Sequence, residues 1–337
     1  MIFVGIQPRT LRAAMFTWLE LVAAFCLIAS PSLAAERTIS IALARSVNTV
    51  PLWGIQPFAA KYGLKVEFVT AATNADMLRA VAGGVELGTV GYQSPAVMAD
   101  QGISNVRIVA GVQTGLANLV MRKGEELPSW KALEGKRIGQ VPGSWVAVLF
   151  ALAAEANGVD LQKVTLVNIP GQGASQLQAL KGGDVDGIVT WSPTSDAAVV
   201  QGVGEYPNCC DIGSTKKYGA GNQLLAANTA FLADKTTAVN FLKAYAESMD
   251  FYANNSTKAV DLIVQYSSAP RDVITASVKQ GHWTTHVDIE ALKNVARAGS
   301  KFGFTKADQS AHVADLIDLK PLSEATGESV ERLSAGN

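Results

Sequence analysis

Leu78-Arg-Ala-Val-Ala-Gly-Gly84 and Leu177-Gln-Ala-Leu-Lys-Gly-Gly183 lie 99 residues apart and spell one pattern. The match runs on through Gly88-Thr-Val-Gly-Tyr92 against Gly187-Ile-Val-Thr-Trp191, and each copy then reaches Ser-Pro, at Ser94-Pro95 and Ser192-Pro193. Each copy predicts a helix that stops at a glycine pair, where a left-handed backbone is cheapest. A short buried strand follows, then an aromatic at its carboxyl edge. A serine cap with proline at the first helical position starts the next helix, where the missing N–H does no harm. Two like-built α/β lobes are the expectation.

The flanking sequence alternates in the same way. Strands are expected at 38–45, 64–69, 87–90 and 106–110, with helices opening at Pro51, Asn74 and Ser94. A strand at 136–141, a helix capped by Ser144 and running through Asn157, and a strand at 164–167 then repeat the order. Such alternation predicts a mostly parallel sheet with helices on both faces.

Composition limits the function classes. The 337 residues make up about two domains' worth of chain. With 48% hydrophobic and 17% charged residues, the chain can build a large core and is not disordered. Lys and Arg number 28 against 29 Asp and Glu, a net charge of -1, and no run of five like charges occurs, which argues against nucleic acid as a partner.

Arg9 and Arg12, the apolar run Leu21–Ala29, Pro31 and the small residues Ser32-Leu-Ala-Ala35 together read as a secretory signal peptide over 1–35, cleaved near Ala34 or Ala35. The run is too short to span a bilayer, which takes about 20 residues. Trp145–Ala154 is apolar throughout but ends at Glu155, and reads as a buried helix. An exported protein is expected, in contact with a membrane only through a partner.

Cys209 and Cys210 are adjacent, so they form either a strained vicinal ring or a reduced, incidental pair in the loop Tyr206–Asp211. Nothing in the cysteines has metal-site spacing. His282 and His286 are four apart with Asp288 nearby, but two ligands make a poor site and a solvated face is the ordinary reading. Asp184 and Asp186 flank Val185 in the turn before a buried strand, which points to turn and cap duty over paired-carboxylate catalysis. There is no G-x-S-x-G, H-E-x-x-H or phosphate loop. No cofactor, no metal and no catalytic residue is expected.

Function follows from where α/β lobes expose chemistry. Ligands sit beyond the carboxyl ends of the strands, where helix starts present N–H groups and a positive dipole end. Asn74, Ser94, Ser144 and Ser192 are read as such starts, with Tyr92, Trp145 and Trp191 beside them as apolar walls. Arg45 closes the first strand and could pair with a sulfonate or carboxylate, although a solvated role is the ordinary one.

The order of Gly135-Lys-Arg-Ile-Gly-Gln-Val-Pro-Gly-Ser144, Gly158-Val-Asp160, Val164–Val167, Gly183-Asp-Val-Asp-Gly187 and Trp191-Ser-Pro193, with Pro51-Leu52 and Gly88-x-x-Gly91 upstream, resembles the nitrate/sulfonate/taurine-type periplasmic substrate-binding proteins of ABC importers. The resemblance implies the type II periplasmic binding protein fold: two similar α/β lobes joined by two crossing strands. It puts the first crossing near Asn118–Met121 and the return near Asn222–Ala226. Lobe I would then comprise 36–121 and 222–337, and lobe II 122–221.

It further implies a monomeric protein in the periplasm, with a small organic, anionic ligand (sulfonate- or carboxylate-like) held in the cleft and delivered to an ABC permease. By similarity the contacts are Asn48 and Pro51 in the loop 46–51, then Tyr92, Gln93 and Ser94, then Ser144 and Trp145, then Trp191 and Ser192; Arg45, Asn74 and Gln113 complete the candidate set. Two departures stand out. Relatives often carry an acidic residue where this chain has Ser192, which argues against an amine-bearing ligand such as taurine, and the turn Pro170–Gly173 is uncharged. Two alternatives stay open: a ligand-sensing subunit docking a receptor, and an enzyme related to the fungal pyrimidine-precursor synthases. Against the latter stand the leader and the lack of a denser cysteine cluster.

Overall fold

Eleven strands assemble into two separate sheets in a computed structural model that describes residues 36–335 other than 45, 72, 170–172, 214–216 and 220. The strands are β1 (Arg37–Leu43), β2 (Leu64–Thr70), β3 (Leu87–Gly91), β4 (Val106–Thr114), β5 (Ala117–Arg122), β6 (Arg137–Gln140), β7 (Thr165–Asn168), β8 (Gly187–Trp191), β9 (Gly204–Glu205), β10 (Gly221–Asn228) and β11 (His282–Trp283). The expected leader and its cleavage point lie outside the described residues, as does Arg45.

The helices of seven residues or more are α1 (Asn74–Ala82), α2 (Ser94–Gln101), α3 (Trp145–Ala156), α4 (Ala174–Gly182), α5 (Thr194–Val200), α6 (Lys235–Asn254), α7 (Ser256–Val264), α8 (Arg271–Gln280), α9 (Ile289–Ala298) and α10 (Lys320–Thr326). Ten consecutive residues of α3, Trp145 to Ala154, are buried, so its apolar run is core. Among the described residues, no helix is long and apolar enough to cross a membrane.

The sheet orders are β11-β4-β10-β3-β1-β2 and β7-β6-β8-β5-β9. In the first, β2, β1 and β3 run parallel and β10 lies antiparallel beside β3. In the second, β7, β6 and β8 run parallel and β5 lies antiparallel beside β8. The two sheets therefore share one plan, and the repeated segments occupy equivalent places in it: α1–β3 in one, α4–β8 in the other. The sheets are mixed where a mostly parallel one was expected. The antiparallel members include β5 and β10, by which the chain enters the second sheet and comes back to the first, and a chain that reverses must run against the β-α-β direction.

The passage between sheets is abrupt. β4 ends at Thr114 and β5 begins at Ala117, with only Gly115 and Leu116 between them, at φ 73° and 63°. Such a left-handed pair turns the chain in two residues. It costs something at Leu116, whose buried side chain (2% exposed) packs into a small apolar cluster with Val47, Val50 and Ile274.

The repeat extends to its ion pairs. At the start of β1, the Arg37 guanidinium meets Glu86, the residue before β3, and Glu86 also accepts from the Ser40 N–H at 3.1 Å. At the start of β6, Arg137 donates to Asp186, the residue before β8, from Nη2 at 2.6 Å and from its backbone N–H at 2.8 Å. Asp186 thus ties the edge of β8 to β6, which is the structural duty expected of that turn. Cys209 and Cys210 are bonded to each other, so the ring is formed. His282 lies in β11, not on a helix, and His286 faces Glu328 at 3.2 Å.

Hydrogen bonds from the Arg137 side chain hold the Asp186 carboxyl below the usual carboxylate range. A group with a lowered folded pKa stabilises above its unfolded value, and that contribution fades as the pH falls through the folded one. Asp186→Asn should therefore cost about 1–2 kcal/mol near neutral pH, a modest figure because Arg137 is partly in solvent. Urea unfolding should show the wild-type advantage shrinking below about pH 4.

Candidate functional site

The carboxyl ends of β1, β3, β6 and β8 point at one chamber of about 410 Å³. Ala44, Ser46 and Asn48 reach it from the turn after β1, Thr73, Asn74, Ala75 and Met77 from the start of α1, and Gln93 from the turn after β3. Val141 to Val146 arrive on the turn into α3, Trp191 at the end of β8, and Asn222 and Gln223 on β10. This is the switch-point crevice of open α/β sheets.

Helix starts supply its donors. Ser144 caps α3, its Oγ accepting from the Ala147 N–H at 3.2 Å. The cap of α1 is Thr73 rather than Asn74: its Oγ1 accepts from the Asp76 N–H at 3.1 Å and donates to the Asp76 carboxylate at 2.7 Å. Thr73 keeps the extended backbone that a cap needs, whereas Asn74 is already helical. Each cap satisfies one of the first four N–H groups of its helix, and both helix starts line the chamber. No ionisable side chain lines the chamber among the described residues.

Three amide oxygens complete the wall. Asn48 Oδ1, Gln93 Oε1 and Gln223 Oε1 are buried and accept no hydrogen bond from any described protein group. Asn48 is only 5% exposed. A buried acceptor left unpaired costs about 1–3 kcal/mol. Native structures hold few such atoms, so three in one chamber mark it as built to meet hydrogen-bond donors from outside the fold.

Above them sits an aromatic lid. The Trp145 indole N–H donates to the Gly221 carbonyl at 3.1 Å, and the Tyr92 ring lies 5.7 Å from it at 43°. The Tyr92 hydroxyl donates to the Asp288 carbonyl at 3.1 Å, and burial pushes its phenol well above the ordinary range.

Of the twelve candidates, Asn48, Asn74, Gln93, Ser144, Trp145 and Trp191 line the chamber. Ser192 faces a neighbouring one, its Oγ 3.3 Å from Ser195 Oγ; α5 starts at Thr194 with Pro193 in the cap position, so Ser192 caps no helix. Tyr92 packs behind Trp145, and Ser94 is buried inside the first turn of α2, which Gln93 precedes. Gln113 is fully buried behind Asn222, whose amide donates to it at 3.1 Å, and donates in turn to the Thr114 carbonyl. The Pro51 carbonyl accepts from Ser248 at 2.6 Å and lines neither chamber. Arg45 lies outside the described residues.

Thr73 and Gln223 are wall residues absent from the candidate set. The first had a signal, a Thr-x-x-Asp cap pattern opening an apolar helix. The second had a fainter one: Asn222-Gln223 is a polar pair leading an otherwise apolar strand.

The NMT1/THI5-like family model matches residues 58–259, more than half of the chain. No curated protein matches it. Among solved structures, the fold is similar to the periplasmic nitrate-binding protein NrtA of Synechocystis PCC 6803, with a TM-score of 0.71 at 13% identity, covering 89% of this chain and 91% of that one. The ligand-binding component of an ABC-type import system from Staphylococcus aureus, with zinc bound, gives 0.70 at 16%, covering 87% and 100%. The alkanesulfonate-binding protein SsuA of Xanthomonas axonopodis pv. citri, bound to MOPS, gives 0.67 at 15%, covering 85% and 99%. At these identities the likeness establishes a shared fold.

Gly221 sets the lid's height, because a Cβ there would lie 1.9 Å from Tyr92 Cε2. Gly221→Ala should displace the Tyr92 ring and lower stability by about 1–3 kcal/mol, read as an earlier urea midpoint with an unchanged slope.

Proposed function

We propose that this chain, which belongs to the NMT1/THI5-like family, is an exported solute-binding protein that captures a small organic ligand in the chamber and delivers it to an ABC permease. The observation that carries the reading is the meeting of three unpartnered amide oxygens with the starts of α1 and α3 in one cavity that no ionisable side chain lines among the described residues. Such a wall offers N–H donors to the oxygens of a sulfonate or carboxylate and amide acceptors to an O–H or N–H beside them. Among the described residues it holds no pair of groups set to break a bond, which favours capture and release over turnover.

The two sheets are then the cores of two lobes, with β5 and β10 as the strands joining them. Closure brings Trp145 of one lobe against Tyr92 and Gly221 of the other, and a permease would read that state. A leader over residues 1–35 would send the chain to the periplasm, where relatives of this fold such as NrtA work.

The test is a thermal-shift screen of the leaderless protein against sulfonates, carboxylates, nitrate and pyrimidines. A ligand at 100 times its dissociation constant adds about 2.7 kcal/mol, a shift of several degrees. Asn48→Ala and Ser144→Ala should each weaken the hit up to about tenfold by calorimetry, one hydrogen bond's worth. Retained affinity in both would move the site elsewhere, and chemical conversion of the hit would refute the binding role.

The uncharged wall makes a second forecast. No described lining residue titrates near neutrality, so the affinity for a permanently charged sulfonate should stay flat from about pH 5.5 to 8.5. Calorimetry across that range checks it.

A further inference from the structure

A second cavity of about 300 Å³ opens beside the first, and Ser46 and Trp191 line both. Its character is different. Apolar side chains dominate, among them Val50, Trp53, Leu262 and Ile274, and no charged side chain lines it among the described residues. Trp53 and Tyr266 stack at its wall, ring centroids 5.6 Å apart and planes at 19°. Tyr266 is 53% exposed at this edge of the cavity, and Trp53 is half-buried beside it. Exposed aromatics flanking a cavity are what a site for an apolar group leaves on a surface.

The far wall of this cavity is held in place by buried polar contacts. Asp196 in α5 is 1% exposed and accepts from Ser277 Oγ at 2.6 Å and Gln280 Nε2 at 2.9 Å, both on α8. The Tyr206 hydroxyl also donates to it at 2.9 Å. That network ties α8, which carries Ile274, to the half of the molecule that carries Trp191. The second cavity is therefore preformed against the first, with Trp191 as the partition.

We propose that the two cavities are one binding site with two compartments, the first for the oxygen-rich head of an organic anion and the second for an aromatic tail. The ligand class is then aryl-substituted sulfonates or carboxylates, not bare inorganic anions. The assignment rests on the binding role of the first chamber. It adds that the Trp53–Tyr266 pair and Trp191 contribute affinity through the tail alone.

The experiment uses two probe series with fixed heads: methanesulfonate, benzenesulfonate and 2-phenylethanesulfonate, and acetate, phenylacetate and 3-phenylpropionate. Titration calorimetry of the leaderless protein should show affinity rising about tenfold to hundredfold from the methyl to the phenyl members. Tyr266→Ala, a change at a half-exposed position, should cut that rise by about tenfold. A rise that is absent, or that survives in Tyr266→Ala unchanged, overturns the tail compartment.

Asn48→Ala separates the two levels of the claim. Weakening of every probe by a similar factor, with no tail effect, would leave the head chamber standing and remove the second compartment. Tail-dependent binding that ignores Asn48→Ala would overturn the head chamber and this site together. Failure of every probe overturns the anion-with-tail class, while the broader ligand screen still decides whether the first chamber binds anything.

Discussion

The contact between Trp145, Tyr92 and the Gly221 carbonyl is the constraint from which the cleft takes its shape. Trp145 opens α3 in one half of the molecule; Tyr92 and Gly221 belong to β3's end and β10 in the other. Both rings are almost wholly buried, at 3% and 2% exposure. Large apolar surface buried at about 25 cal/mol per Å² outweighs the single hydrogen bond, worth about 1 kcal/mol, that orients it. The rings supply the attraction, and the indole N–H sets the direction. With the start of α3 fixed in this way, it lines one chamber together with Asn222 and Gln223. Gly221 is required because no other residue lets β10 pass so close to the Tyr92 ring.

Much of the architecture was legible, and the reason is local. The helix-Gly-Gly-strand-aromatic unit carries its own start and stop signals, so 78–92 and 177–191 announce α1–β3 and α4–β8 without tertiary information. Ser144 and Asn157 bound α3 in the sequence and in the structure alike. The caps were harder. A Thr followed by Asn leaves two candidates for one position, and the backbone chose Thr73. Ser192-Pro193 reads as a cap followed by a first helical proline, but α5 starts one residue later, at Thr194, which leaves Pro193 in the cap position.

The wall of the candidate site was only half legible, for a different reason. Asn48, Gln93 and Gln223 come from three distant segments, and no periodicity links them. A lone amide in a turn is ordinary, so its meaning comes from the absence of a protein partner, which only three-dimensional packing reveals. Tyr92, Ser94, Gln113 and Pro51 show the converse. Protein partners occupy the polar groups of three of them, Asp288 for Tyr92, Ser248 for Pro51 and Asn222 for Gln113, while Ser94 is buried in the first turn of α2. Neighbours in sequence to a site supply its support more often than its surface.

The neutral wall also explains how such a protein could both hold and release an anion. A buried cation facing a buried anion attracts strongly at low dielectric, and each bears a desolvation cost of several kcal/mol. Helix starts contribute far less each, about 0.3–1 kcal/mol and up to about 2 when partly buried. With two such starts and a few amides, the head chamber alone would bind its ligand weakly. Affinity would then have to come from area, and among the described residues a largely apolar cavity lies beyond Trp191. The proposed second compartment would supply what such a head site lacks. Opening the lobes would expose both compartments at once, so no stranded ion pair would resist release to the permease.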